Sequence, residues 1–264
     1  MQWPWQRRKK SKRIGLALSG GAVRGAAHLG VLEVLEREGI RPDCVAGTSA
    51  GSVVGAAYCA GIPLDDIKRL ALRLRWSDIS HITRPGLGFF DNQPLEEYID
   101  RVIGGRRFDE LLIPFAAVTV DLMSGKVVVI NEGPVAPAVR ASCAIPIVFT
   151  PVLRGDQLLI DGGVLNNVPV SVVRAMGADY VIAVDLVPPV EQPEQPQTVF
   201  DLGILVFSTL LRSAYSEIHT ADCLIVPDIG HFSWADFSQT LELIAKGREA
   251  AEAKIEQIKR DLGK

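Results

Sequence analysis

Residues 43–58 read Asp43-Cys44-Val45-Ala46-Gly47-Thr48-Ser49-Ala50-Gly51-Ser52-Val53-Val54-Gly55-Ala56-Ala57-Tyr58. Residues 43–47 form a short apolar run, and Thr48–Ser49 then turns into a helix of small residues that reaches about Tyr58. This predicts a strand, a sharp turn and a helix. A similar unit precedes it. Residues 13–18 read as a buried strand, 19–21 as a Gly-rich turn, and Ala22 to Glu38 as a helix with His28, Val31, Leu32 and Leu35 on one face. Gly39 suits the residue after the helix, and Pro42 blocks its continuation. Two strand–helix units in succession imply an α/β fold: a mostly parallel central sheet flanked by helices on both faces. Ligands in such sheets bind beyond the carboxyl ends of the strands.

The remaining pattern extends this frame. Helices are expected at 64–75, 94–103, 134–142, 169–176, 200–211 and 238–262. The last carries a stripe of Leu241, Ile244, Ala245, Ile255, Ile258 and Leu262. Strands are expected at 114–121 and 126–131 around a tight turn, near 147–153 and 157–160, and at 179–187 and 223–226. Residues 76–93 read as an irregular connection rich in Gly, Pro and aromatics. Residues 188–197 (PPVEQPEQPQ) are the one low-complexity stretch, an exposed, stiff loop. There is no internal repeat. The 264 residues divide into a basic tail at 1–13 and a single domain at 14–264, whose C-terminal helical part is 200–264.

Composition narrows the function classes. Hydrophobic residues make up 48% and charged residues 22%, which is globular rather than disordered. The net charge is −3, and a generally acidic surface argues against nucleic acid as a partner. Six of the 28 basic residues lie in residues 1–13, which contain no acid. The remaining 22 face 31 acids, a net −9. This tail, with Trp3 and Trp5, reads either as a solvated terminus or as a peripheral contact with an anionic membrane surface. Cys44, Cys59, Cys143 and Cys223 are widely spaced, as expected of free, buried thiols in a reducing, cytoplasmic setting. The uncharged stretch Cys44 to Leu64 is long enough to span a membrane, but it holds four glycines and a proline, so it reads as buried strand–turn–helix.

Three turns carry candidate chemistry. Gly47-Thr48-Ser49-Ala50-Gly51 is a G-x-S-x-G, whose small flanking residues allow a turn sharp enough to expose the Ser49 hydroxyl as a nucleophile. Ser19-Gly20-Gly21-Ala22-Val23-Arg24-Gly25 offers backbone N–H groups at a helix start, which suit a phosphate, an oxyanion or simply a tight turn. It fits neither a Walker A loop nor a dinucleotide fingerprint. Asp161-Gly162-Gly163 follows an apolar strand, as either a plain turn or a carboxylate at a site. Four histidines are present. His28 reads as a packed core residue, and neither His81, His219 nor His231 has a recognisably catalytic context. No cluster has metal-ligand spacing, and no cofactor is implied.

Together these stretches resemble the patatin-like phospholipase family, especially its bacterial members and the neuropathy target esterase branch. The likeness covers residues 14–187. It rests on Gly20 to Gly25, Gly47 to Gly51 and Asp161-Gly162-Gly163, with Ala26 to Leu32, Ala141 to Pro146 and Asn167 to Val170 alongside. Ala22 stands where many members have a third glycine, and Ser19 where others have Asp or Gly. The resemblance implies a patatin-like three-layer architecture and a serine acyl-ester hydrolase with a Ser49–Asp161 dyad and no catalytic histidine. Gly20, Gly21 and Ala22 would form the oxyanion hole. Arg24, Gly25, Gly47, Gly51, Gly162 and Gly163 would support it, with Arg24 either orienting the loop or meeting a head-group phosphate. The implied substrates are phospholipids or lysophospholipids, admitted past residues 76–93 or 200–211, with no calcium requirement. A Ser-His-Asp carboxylesterase and a non-catalytic adaptor on the same fold are the alternatives.

Overall fold

The structure is a computed structural model that describes residues 12–83, 86–187, 195–213 and 217–264. Most of the basic tail, and residues 188–194 of the Pro/Gln stretch, lie outside the described residues.

In chain order the elements are β1 (Ile14–Leu18), α1 (Ala27–Arg37), β2 (Cys44–Thr48), α2 (Ala50–Cys59), α3 (Leu64–Ala71) and α4 (Trp76–Ile79). Then come β3 (His81–Ile82), β4 (Gly88–Asp91), α5 (Gln93–Ile103), β5 (Phe115–Asp121), β6 (Lys126–Ile130), α6 (Val135–Ser142) and β7 (Ile147–Phe149). The chain ends with β8 (Val152–Arg154), β9 (Gln157–Asp161), α7 (Val170–Ala175), β10 (Tyr180–Val184), α8 (Val199–Ser213), β11 (Cys223–Ile225) and α9 (Thr240–Leu262).

Five strands, in the order β11-β10-β1-β2-β5, are parallel. β1, β2, β5 and β10 are buried at every residue, which is why they read as continuous apolar runs. Antiparallel strands β6, β9 and β8 extend the sheet beyond this core. The pairing of β5 determines the site. Ala117 and Val118 pair with β2 on one edge and β6 on the other, whereas Thr119 to Asp121 pair with β6 and β9. β9 therefore lies on the same edge of β5 as β2, beyond its end.

Helices cover both faces. On one side α1, α2, α5, α6 and α9 enclose the larger core, and on the other α7 packs on β1, β2 and β10. α1 and α9 cross backbone to backbone. A Cβ on Gly30 would strike the Ile244 carbonyl, and one on Gly247 the Ala27 carbonyl.

Several expectations need correction. Residues 22–26 form a 3-10 turn rather than the first turns of α1, with the Arg24 N–H donating to the Gly21 carbonyl at 3.1 Å. Residues 76–93 contain α4, β3 and β4. The expected strand 147–153 is two strands in two sheets, because β7 joins a small β3-β4-β7 sheet and β8 pairs with β9. Pro151, which lacks an N–H, stands at the break. In α9 the Leu241 side chain is 65% exposed, and the buried stripe runs instead through Leu243, Ile244, Gly247, Ala251, Ile255 and Ile258. The close crossing at Gly247 sets that rotation. All four cysteines are free and buried.

Candidate active site

The turn between β2 and α2 is strained. Ser49 adopts φ 50° and ψ −122°, a region that side chains avoid and that costs about 1–3 kcal/mol. The flanking glycines make the turn sterically feasible. A Cβ on Gly47 would enter the Gly51 backbone, and a Cβ on Gly51 would strike the Leu18 carbonyl. Hydrogen bonds fix the result. The Ser49 N–H donates to Ser142 Oγ at 2.9 Å, and Ser142 Oγ donates to the Val118 carbonyl at 2.6 Å. Ser52 Oγ donates to the Ser49 carbonyl at 2.6 Å.

Asp161 ends β9 and is fully buried. Its Oδ1 accepts from the Gly163 N–H at 2.8 Å, and a Cβ on Gly162 would strike the Val118 carbonyl, so this turn too depends on glycine. Burial pushes the Asp161 carboxyl up to about 7, while the Ser49 hydroxyl and the Gly163 N–H pull it back. The two side chains thus interact, although no hydrogen bond of full geometry reaches the buried Oδ2 among the described residues. Burial, with Asp161 nearby, drives the neighbouring Cys143 thiol far above its usual range.

The Gly-rich loop lies against Ser49. A Cβ on Gly20 would sit 3.1 Å from Ser49 Cβ and 2.7 Å from Asn167 Oδ1. The Gly20 N–H is already engaged, donating to Asn167 Oδ1 at 3.1 Å and to the Asn167 carbonyl at 3.4 Å. Of the three expected donors, Gly21 and Ala22 are therefore the ones whose N–H groups carry no protein bond among the described residues. Ala22 takes φ 50°, a conformation that a third glycine would adopt without strain. Gly25 allows close packing on Ala50. Arg24 ties the Gly-rich loop to the segment near Phe232, donating from Nε and Nη2 to the Phe232 carbonyl at 3.0 and 2.7 Å.

Two cavities meet at Ser49. The first, about 150 Å³, is almost wholly apolar. It follows Ala50, Val53, Val54 and Ala57 along α2 and is closed by residues of α3, α4 and α5, including Trp76 and Ile79. The second, about 440 Å³, is more polar and contains Gly20, Gly21, Ala22, Arg24 and Asp161, with Ile204, Leu205, Phe207, Leu211 and Arg212 of α8. The two expected access segments thus each wall a different cavity. No histidine lines either cavity among the described residues. His28 is buried, with its Nε2–H donating to the Ser19 carbonyl at 2.9 Å, and burial lowers it to about 4, so the ring is neutral.

Ser142 and Asn167 are the positioning residues to which the sequence reading gave no role. Both lie in stretches that carried the family resemblance, and that was their only signal. Among the described residues no group of three His, Cys, Asp or Glu is arranged to hold a metal ion, and no helix is long and apolar enough to cross a membrane.

Comparisons with known proteins bear on the family and the fold. The family model described as patatin-like phospholipase matches residues 16–174, more than half of the chain. An uncharacterized NTE family protein of Mycobacterium tuberculosis is 36% identical over 183 residues, covering 68% of this chain and 51% of that protein. A second from the same organism is 31% identical over 95% of this chain and 48% of that protein. Mouse patatin-like phospholipase domain-containing protein 6 is 34% identical over 66% of this chain but only 13% of its own length. The chain thus spans about half the length of its mycobacterial relatives. Among solved structures, VipD from Legionella pneumophila superposes with a TM-score of 0.64 at 14% identity, covering 94% of this chain and 67% of that one. The type III effector ExoU superposes with a TM-score of 0.54 at 15% identity, covering 94% and 53%. The fold is shared with both, and with the serine turn, the aspartate turn and the Gly-rich loop all inside the matched span, the chain belongs to the patatin-like phospholipase family.

Proposed function

We propose that this protein is a serine acyl-ester hydrolase that cleaves acyl esters of phospholipids or lysophospholipids through an acyl-enzyme on Ser49. The observation that carries this reading is the junction at Ser49. A strained serine stands between an apolar cavity and a more polar one, beside a buried carboxyl, and no histidine lines either cavity among the described residues.

The chemistry follows from the groups present. Ionised Asp161 accepts the Ser49 proton as Oγ bonds to the ester carbonyl carbon. The negative oxygen that forms is received by the Gly21 and Ala22 N–H groups. One such donor is worth about 3–4 kcal/mol in the transition state. Collapse breaks the bond to the leaving oxygen, which takes the proton from Asp161. Water then attacks the acyl-enzyme, gives its proton to Asp161 and releases the acid, and Ser49 recovers its proton. The α2 N-terminus contributes a favourable dipole at the nucleophile. The acyl chain occupies the apolar cavity and the head group the polar one.

The test is hydrolysis of p-nitrophenyl butyrate, together with labelling by a fluorophosphonate probe, for wild type, Ser49→Ala and the His81→Ala/His219→Ala/His231→Ala triple variant. The reading requires wild type and the triple variant to be active and labelled, and Ser49→Ala to be neither. Loss of activity in the triple variant would favour a Ser-His-Asp enzyme, and an inert, unlabelled wild type would favour an adaptor. Peripheral membrane contact through residues 1–13 belongs to the same proposal. Equal co-sedimentation with anionic liposomes after deletion of that tail would remove it.

A further inference from the structure

We infer that Arg212 is a specificity-determining residue that selects substrates with a phosphate in the head group, an assignment that rests on the acyl-hydrolase reading above. The polar cavity beside Ser49 is lined by two arginines, Arg24 and Arg212. Its one carboxyl, among the described residues, is Asp161, which is fully buried and committed to Ser49. Neither guanidinium makes an ion pair among the described residues. Among the described residues Arg24 donates to the carbonyls of Gly230 and Phe232, through Nε and Nη2, and Nη1 has no protein partner. Arg212, in the last turn of α8, has one long bond among the described residues, from Nη2 to Thr209 Oγ1 at 3.4 Å. Arginine without a carboxylate partner is unusual in a wall whose other side chains, Asp161 apart, are apolar residues, neutral amides and the hydroxyls of Ser49 and Ser208.

The chemistry that satisfies this wall is a singly charged phosphodiester. Guanidinium donors match phosphate oxygens in a bidentate fork, and their charge is otherwise uncompensated. A neutral acylglycerol offers no such acceptor. Arg24 is held by the loop that carries Gly21 and Ala22, so its replacement would disturb the machinery. Arg212 lies on a separate helix with one weak tether, which makes it the residue that can adjust head-group preference without moving Ser49.

The experiment compares two substrates with the same short acyl chain, lysophosphatidylglycerol and monoacylglycerol, below their aggregation concentrations. Wild type, Arg212→Gln and Arg212→Lys are assayed, with p-nitrophenyl butyrate as a third substrate that has no head group. Arg212→Gln should raise KM for lysophosphatidylglycerol about tenfold with little change in kcat, the size expected for one charge-assisted hydrogen bond. It should leave the other two substrates within about twofold. Arg212→Lys should recover part of the loss, since it restores charge but not the fork. Unchanged KM for lysophosphatidylglycerol, or an equal loss on all three substrates, overturns the assignment. A binding arm separates this result from the parent reading. Calorimetric titration of both lipids into Ser49→Ala, with and without Arg212→Gln, decides the role of Arg212 even if no ester is hydrolysed, and absent hydrolysis by wild type would count against the nucleophile alone.

Discussion

Thr48, the last residue of β2, lies opposite Val118, and Asp161, the last residue of β9, lies opposite Thr119, on the same edge of β5. β2 runs parallel to β5 and β9 runs antiparallel, so the two strands approach each other end to end. Ser49 follows Thr48 directly. The meeting of serine and carboxyl is therefore built into the register of the sheet, and no third residue is needed to bridge them.

In the proposed mechanism Asp161 links catalysis to stability. With its carboxyl raised to about 7, kcat/KM for ester hydrolysis should climb as pH rises through that region. The sign for stability is opposite. A carboxyl raised above its ordinary value near 3.9 contributes stability that is full below that value and lost as pH rises through about 7. Asp161→Asn should thus be inactive, melt higher than wild type at pH 8, and match it near pH 4. Calorimetry at the two pH values checks this, and an equal offset at both would contradict it.

Gly20 lets the loop lie against Ser49. Gly20→Ala would place a Cβ 2.7 Å from Asn167 Oδ1, pushing apart the clip that aims the neighbouring N–H groups. The expected result is a drop in kcat of about 10²-fold with a modest change in KM, the cost of misplacing an oxyanion donor. Steady-state kinetics on a soluble ester, with a melting curve to verify folding, decides it.

Ala57 lies eight residues along α2 from Ser49, which places it about 12 Å farther down the apolar cavity. Ala57→Phe should shorten the acceptable acyl chain. In a p-nitrophenyl ester series, wild-type kcat/KM should rise about fourfold per added methylene until the cavity is full, the value of roughly 0.8 kcal/mol each. The variant should retain acetate and butyrate hydrolysis and reach its plateau several carbons earlier. An unchanged profile would mean that acyl chains lie elsewhere.

His28 opposes Asp161 in its effect on stability. Its ring is buried neutral, with burial lowering it to about 4 from an ordinary 6.5. The stability it contributes is present above 6.5 and lost as pH falls toward 4, because the unfolded chain takes up the proton first. Gln at this position retains a donor for the Ser19 carbonyl but cannot ionise. His28→Gln should flatten the loss of melting temperature between pH 6.5 and 4 relative to wild type, and leave ester hydrolysis at pH 8 largely intact.

The sequence by itself determined the α/β class, the main strands and helices outside residues 76–93 and 147–153, and the three turns at 19–25, 47–51 and 161–163. These are local properties: apolar runs that can only be buried strands, and glycines wherever a Cβ would strike backbone. Ser49 was legible for the same reason, since a strained turn needs small neighbours on both sides. The tertiary structure decided what no local pattern encodes. It placed β9 on the β2 edge of β5, so that residues 112 positions apart, Ser49 and Asp161, share one site. It engaged the Gly20 N–H with Asn167, while the Gly21 and Ala22 N–H groups carry no protein bond among the described residues, and it buried His28 against the Ser19 carbonyl, outside the lining of both cavities. It rotated α9 so that Leu241 faces solvent, and it brought α8 over the polar cavity with Arg212. Each of these outcomes depends on pairing or packing between distant segments, and long-range contacts are fixed by the energy of the whole core rather than by any window of residues.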